Sequence, residues 1–134
     1  MVTIDAVAAT VSELPEVTEG LRHGTRTWSV AGKAFAWVRP FSKADIRRFG
    51  DMPVPDGPIL AVSVADLHDK EAVLQEGAKG FFTIPHFDGY AAVLIQLKVA
   101  GKRRVREALV DAWLAAAPDR LADEFMASRR RRGA

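Results

Sequence analysis

The sequence predicts an α+β domain of two layers: an antiparallel sheet of about five strands, covered by helices from the N- and C-terminal parts of the chain. Three observations carry this. Residues 25–39, Thr-Arg-Thr-Trp-Ser-Val-Ala-Gly-Lys-Ala-Phe-Ala-Trp-Val-Arg, are two runs of aromatic and β-branched residues split by Ala31-Gly32, the pattern of a β-hairpin. Apolar residues recur at helical spacing in residues 3–14 and again in 102–117. The connections between apolar runs are short, which favours antiparallel neighbours with helices on one face.

In the hairpin, a loop of two or four residues sets Trp28 opposite Phe35 and Arg26 opposite Trp37, with the large aromatics on one face; a three-residue loop with a glycine bulge slips this by one. Either way the hairpin offers an apolar face that must be covered. Residues 3–14 supply one cover, with Thr3 as cap and Ile4, Val7, Ala8, Val11 and Leu14 on one stripe, ended by Pro15. Glu16 to Gly24 then form a polar connection. After Pro40, residues 43–50 make a short helix stopped by Gly50, and the Pro- and Gly-rich residues 51–58 a loop. Residues 59–65 read as a third strand. Asp66 caps a helix through Glu76, stopped by Gly77, with Leu67, Val73 and Leu74 inward. Phe81 to Ile84 make a fourth strand, Pro85 to Gly89 a turn, and Tyr90 to Leu97 a fifth strand, apolar on both faces and therefore central.

Residues 102–117 carry the clearest stripe: Val105, Leu109, Ala112, Trp113 and Ala116. Pro118 opens a further helical segment, held down by Leu121 and Phe125. Trp28, Phe35, Trp37, Leu109 and Trp113 are the expected core. One domain is expected over residues 1–128, followed by a basic, disordered tail at 129–134.

Composition excludes several functions. The chain has 134 residues, 49% of them apolar and 27% charged, the range of one globular domain. It has no cysteine, so disulfides, zinc–thiolate sites and thiol catalysis are excluded. No apolar run approaches the roughly 18 residues of a membrane span, and the first residues lack the regions of a signal peptide, so a cytoplasmic location is expected. Net charge is +2, but Arg129–Arg132 supply four positive charges, and the rest of the chain carries −2.

No enzyme signature stands out, and no cofactor or metal motif. His23, His68 and His86 lie outside metal-ligand spacing. His86-Phe87-Asp88 pairs an imidazole with a carboxylate, but within a Pro/Gly turn that reads as turn chemistry. Glu13, Glu16 and Glu19 straddle Pro15 and form a solvated edge. No Lys-Ser/Thr follows Gly77 and Gly80 as a phosphate loop requires, and none of the serines sits in a nucleophile elbow. A non-enzymatic domain is expected. Trp28, Phe35 and Trp37 would be a base-stacking platform on an open face; core is the expectation. Three rival functions follow: nucleic-acid binding; a small-ligand cleft between sheet and helices, with His86 or Tyr90 at its mouth; and a protein-interaction module or homodimer through residues 41–57, where Phe41, Ile46 and Phe49 lie outside the core pattern.

Leu14-Pro15-Glu16-Val17-Thr18-Glu19-Gly20, then Gly24, then Trp28 to Ala36, resembles the N-terminal pattern of the MmcQ/YjbR family. Residues 81–97 fit its next part, an aromatic, a proline, a glycine and a hydrophobic strand. Leu109 to Leu121, with Ala117-Pro118-Asp119-Arg120-Leu121, is similar to its C-terminal helix ending. Residues 41–57 depart from the pattern, being longer and richer in proline. The resemblance implies a CyaY-like fold and a DNA-binding role, and brings no catalytic residues with it. Frataxin-type iron binding would need an acidic first helix, whereas residues 3–14 carry only Asp5 and Glu13. For DNA the residues on offer are Arg26, Lys33 and Arg39 on the hairpin, Arg103, Arg104 and Arg106 at the start of the long helix, and Arg129–Arg132.

Overall fold

A computed structural model describes residues 1–133. Six strands form one antiparallel sheet: β1 (Val17–Arg22), β2 (Thr25–Val30), β3 (Lys33–Val38), β4 (Ile59–Ser63), β5 (Phe81–Phe82) and β6 (Ala92–Gln96), in the order β1-β2-β3-β4-β6-β5. The helices are α1 (Ile4–Ser12), α2 (Lys43–Phe49), α3 (Leu67–Glu76), α4 (Lys102–Ala116) and α5 (Asp119–Gly133).

One face of the sheet is covered as the apolar stripes require. Val7 and Val11 of α1 and Val105, Leu109, Ala112 and Trp113 of α4 are buried with Trp28, Val30, Phe35, Leu60, Val62, Val93 and Ile95 of the sheet. Thr3 caps α1, its Oγ1 accepting from the Ala6 N–H at 3.0 Å. Trp113 is fully enclosed; its ring lies 5.0 Å from Phe125 of α5, and its Nε1–H donates to the Pro15 carbonyl at 3.1 Å. That bond ties α4 to the chain leaving α1.

The expected polar connection from Glu16 to Gly24 is in fact the edge strand β1. It pairs with β2 along its whole length, from Val17 opposite Val30 to Arg22 opposite Thr25. Almost all of β1 is exposed, so nothing in its side chains demands an alternating apolar pattern. His23 and Gly24, at φ 53° and 77°, make the two-residue turn to β2.

The β2–β3 turn has two residues, Ala31 and Gly32, both at positive φ, with Val30 opposite Lys33. Beyond it the register shifts. Ser29 pairs with Ala34 but Trp28 pairs with Ala36, leaving Phe35 as the extra residue of a β-bulge. Trp28 therefore does not face Phe35, nor Arg26 Trp37, and the aromatics do not share a face. Trp28 and Phe35 go to the helical side; Trp37, paired with Thr27 and Ala61, goes to the other and is half-buried rather than core.

That second face carries its own smaller core. Ile59, Ala61, Ile84, Phe87, Ala92 and Leu94 are buried there with Trp37, Phe41, Phe49 and Phe82 against them. Phe41 and Phe49, expected outside any core, meet edge to face at 5.4 Å. Ile46 stays exposed. In α3 the buried residue is Lys70, while Leu67 points outward. Lys70 Nζ donates to the carbonyls of Phe87 and Tyr90 at 2.6 and 2.8 Å, pinning the 3-10 turn Pro85–Phe87. The Arg129–Arg132 run continues α5, with Arg129 stacked 5.5 Å over Phe125, where the sequence suggests a separate tail; Ala134 lies outside the described residues.

Trp113→Ala is expected to cost on the order of 3–5 kcal/mol in chemical denaturation, as large-to-small core changes do. A loss under about 1 kcal/mol would contradict the packing of α4 and α5 on this ring.

Candidate functional site

The part of the second sheet face left open by α2 and the 85–90 turn is a hollow of about 440 Å³. Its origin lies in the register. One row of that face runs Gly20, Thr27, Trp37, Ala61, Leu94, Phe82 across the six strands. From Trp37 toward the β1 edge the side chains shrink to threonine and then to nothing; a Cβ placed on Gly20 would meet no atom within 4 Å. Ala34 also borders the hollow. The indole of Trp37 thus stands beside small neighbours.

Arg22 and His23 border the hollow from the β1–β2 turn, Arg39 and Pro40 from the end of β3, and Tyr90 from the turn before β6. Arg22 ends β1 opposite Thr25, and its Nη2 lies 3.4 Å from the Gly32 carbonyl in the β2–β3 turn. The Tyr90 ring is 6.3 Å from Trp37 and tilted by 41°, with Phe87 edge-on behind it at 5.4 Å. The hydroxyls of Thr25 and Thr27 donate to the carbonyls of Arg22 and Thr25 at 3.1 and 3.2 Å. Among the described residues no carboxylate borders the hollow. The cleft along α4 and α5 differs: Glu13, Glu107 and Asp111 line it beside Arg106, Arg129 and Arg132.

The six basic residues singled out from the sequence have unequal freedom. Arg26 grips Glu19 through two bonds of 3.0 Å, reaches Asp5 at 3.2 Å and lies over the Trp28 ring. Hydrogen bonding from Arg26 holds the Glu19 carboxyl below its ordinary pKa, and the Trp28 indole N–H adds to this at 2.8 Å. Arg104 holds Glu76 at 2.7 and 3.1 Å and covers the Phe81 ring. Arg106 sits 3.5 Å from Glu13. Lys33 and Arg103 are exposed and make no ion pair among the described residues. The six are spread over the hairpin and α4; only Arg39 borders the hollow.

Arg39 spans the hollow and α2. Its Nη2 bonds the buried Asp45 Oδ2 at 3.0 Å, and its Nη1 donates to the Pro40 carbonyl. Asp45 also closes the capping box of α2: its Oδ2 accepts from the Ser42 N–H at 2.9 Å, and its own N–H donates to Ser42 Oγ at 3.1 Å. Burial pushes this carboxyl up; Ser42 and Arg39 outweigh that and hold it below the ordinary value. Asp45 Oδ1 has no hydrogen-bond partner, with Arg48 Nη1 3.7 Å away.

Of the sequence candidates, Tyr90 stands at the mouth of a cleft and Trp37 on an open sheet face. His86 is exposed on the turn and does not border the hollow. Arg22 and His23 went unnoticed as site residues; the signal was His23-Gly24, a two-residue turn between Leu21-Arg22 and the hairpin. No group of three or more His, Cys, Asp or Glu is placed to hold a metal ion, and no helix is long and apolar enough to cross a membrane, among the described residues.

The YjbR family matches this chain over residues 12–115. "Uncharacterized protein Rv2570" of Mycobacterium tuberculosis (strain ATCC 25618 / H37Rv) and "Uncharacterized protein Mb2600" of Mycobacterium bovis are each 40% identical to it over 131 residues, covering 96% of this chain and 98% of theirs. No solved structure matches it significantly.

Arg39→Met strips the buried Asp45 of its partner and is expected to lower stability at neutral pH by about 2–3 kcal/mol, the range of a lost charged hydrogen bond. Because the folded-state pKa of Asp45 is depressed, its contribution is complete above the ordinary carboxylate value and is lost as pH falls through the folded one. The gap between wild type and variant in urea denaturation should therefore narrow below about pH 4. A gap independent of pH would contradict the pair.

Proposed function

We propose that this chain, which belongs to the YjbR family, is a non-catalytic binding domain whose ligand is a nucleic acid, met on the open face of β1–β3. The observation that carries this reading is the hollow itself. Arg22 and His23 border a half-exposed tryptophan with no carboxylate in the lining, while Arg39, also at the rim, is bonded to Asp45. Cations draw a phosphate backbone and an aromatic ring draws bases.

The reading divides labour among the basic residues. Arg26, Arg39 and Arg104 face carboxylates of their own chain and serve the fold. On the open face Arg22 is free for a phosphate, whereas Lys33, opposite Val30, and Arg103, on α4, face no carboxylate among the described residues but stand on the helix-covered side. The helical Arg129–Arg132 run adds sequence-independent attraction, since without it the chain carries −2. A second reading, self-association through residues 41–57, is favoured by the exposure there of Ile46, Met52 and Val54. Sedimentation showing a concentration-dependent dimer would support it; a monomer at high concentration removes it.

Anisotropy titration of labelled DNA tests the first reading. At about 50 mM salt the full chain should bind, and log Kd should change with log salt by about 0.7–0.9 per phosphate contacted. Deleting residues 129–134 should leave weaker binding with a shallower slope. Arg22→Ala should reduce the slope by about 1, and Lys33→Ala, Arg103→Ala and Arg104→Ala should leave it unchanged. Absence of binding at low salt, or binding that vanishes with the arginine run, would refute a role for the folded surface.

A further inference from the structure

We infer that the hollow beside Trp37 is a seat for one unpaired nucleotide, the base lying flat on the indole and the phosphate on Arg22 and His23. This rests on the nucleic-acid reading and specifies which part of the nucleic acid is held.

Size comes first. A volume of about 440 Å³ suits a small planar ligand and excludes a duplex. The stacking surface is fixed by the neighbours. Tyr90 stands too close to Trp37, at 6.3 Å and tilted, to leave a slot between the two rings. The face left for a base is therefore the one turned from Tyr90, toward Thr25 and Ala34 of the lining, and Tyr90 closes the far end as a wall.

The polar groups then assign the ends of the ligand. The Thr25 hydroxyl hydrogen is spent on the Arg22 carbonyl, leaving its oxygen to accept from an N–H group of a base. Arg39 has committed its guanidinium to Asp45 and the Pro40 carbonyl, so it shapes the seat without receiving the anion. Arg22 makes one long contact, 3.4 Å to the Gly32 carbonyl, and keeps its other donors. His23 stands next to it on the turn. A phosphate there meets two nitrogen-bearing side chains and no opposing carboxylate. Bases in a duplex are already stacked and paired, and reaching this seat would require flipping one out at a cost of a few kcal/mol. A single strand offers its bases freely.

The test uses the purified full chain and tryptophan emission. Trp28 and Trp113 are buried, so a ligand on the open face reports through Trp37. Thymidine 5′-monophosphate should quench saturably, thymidine more weakly, and inorganic phosphate not at all. A labelled oligothymidylate of about 10 nucleotides should bind at least about tenfold more tightly than a duplex of the same length, as expected when a base stacks only in the single strand. Trp37→Leu should abolish the quench and weaken strand binding about tenfold. Arg22→Gln, on the exposed edge strand and without a role in packing, should weaken binding of the nucleotide but not of the nucleoside; it keeps the test decisive if Trp37→Leu unfolds. No saturable quench, or wild-type strand affinity in the Arg22→Gln chain, overturns the seat even while strand binding upholds the nucleic-acid reading. A saturable quench that needs Arg22, with no strand or duplex bound, sinks that reading and keeps the seat as a site for a free nucleotide.

Discussion

Between Ser29 and Trp28 the β2–β3 ladder takes in one extra residue, Phe35, and the two faces of the sheet part company there. Side chains alternate along a strand, so one inserted residue reverses every face assignment beyond it. Trp28 and Phe35 join the core under α1 and α4, while Trp37 emerges on the opposite face between Thr27 and Ala61. Without the bulge, Trp37 would compete for the same helical cover and the far face would be a plain strand surface. With it, the sheet has two cores of unequal size and an aromatic ring left at the edge of the smaller one. Arg22, which borders the hollow, also reaches the Gly32 carbonyl at 3.4 Å.

Charge is arranged around this division. On the helical side Arg26 pairs with Glu19 and Asp5, Arg104 with Glu76 and Arg106 with Glu13, while Arg103 makes no ion pair among the described residues. Exposed pairs of this kind contribute little to stability; their effect is to quench the field on that surface. Asp45 is different, being buried, and its bond to Arg39 joins α2 to the end of β3. Lys70 plays the matching part on the other side of the hollow, holding the turn that carries Tyr90. Both walls are thus fixed by a buried charged side chain bonded to polar partners, an arrangement that favours one defined shape over a loose apolar contact.

The helices were legible because burial imposes a period on them. Val7 and Val11, and Val105, Leu109, Ala112 and Trp113, repeat as a covered stripe must. β4 and β6 were legible because both their faces are buried, which leaves continuous apolar runs. β1 left no such mark. Val-Thr-Glu-Gly-Leu-Arg lies at the edge with both faces in solvent, and it is a strand because β2 needed a partner. In α3 a lysine rather than a leucine turns inward, since two carbonyls of the 85–90 turn accept from it, and hydropathy cannot register that. The hollow follows from both omissions. Trp37 and Tyr90 were visible as residues, but their placement depends on a bulge no local pattern announces, and Arg22 and His23 depend on the unread strand.

Iodide quenching of tryptophan emission bears most directly on the account, because it asks which of the three indoles the bulge has turned outward. Trp28 and Trp113 are enclosed, and Trp37 lies open in a basic surrounding that attracts an anion. The wild-type chain should show one quenchable component, more sensitive to iodide than to caesium, and Trp37→Phe should remove it and leave two blue-shifted, unquenched indoles. A quenchable component that survives Trp37→Phe would place another tryptophan on the surface and contradict the bulge, the second face and the hollow together.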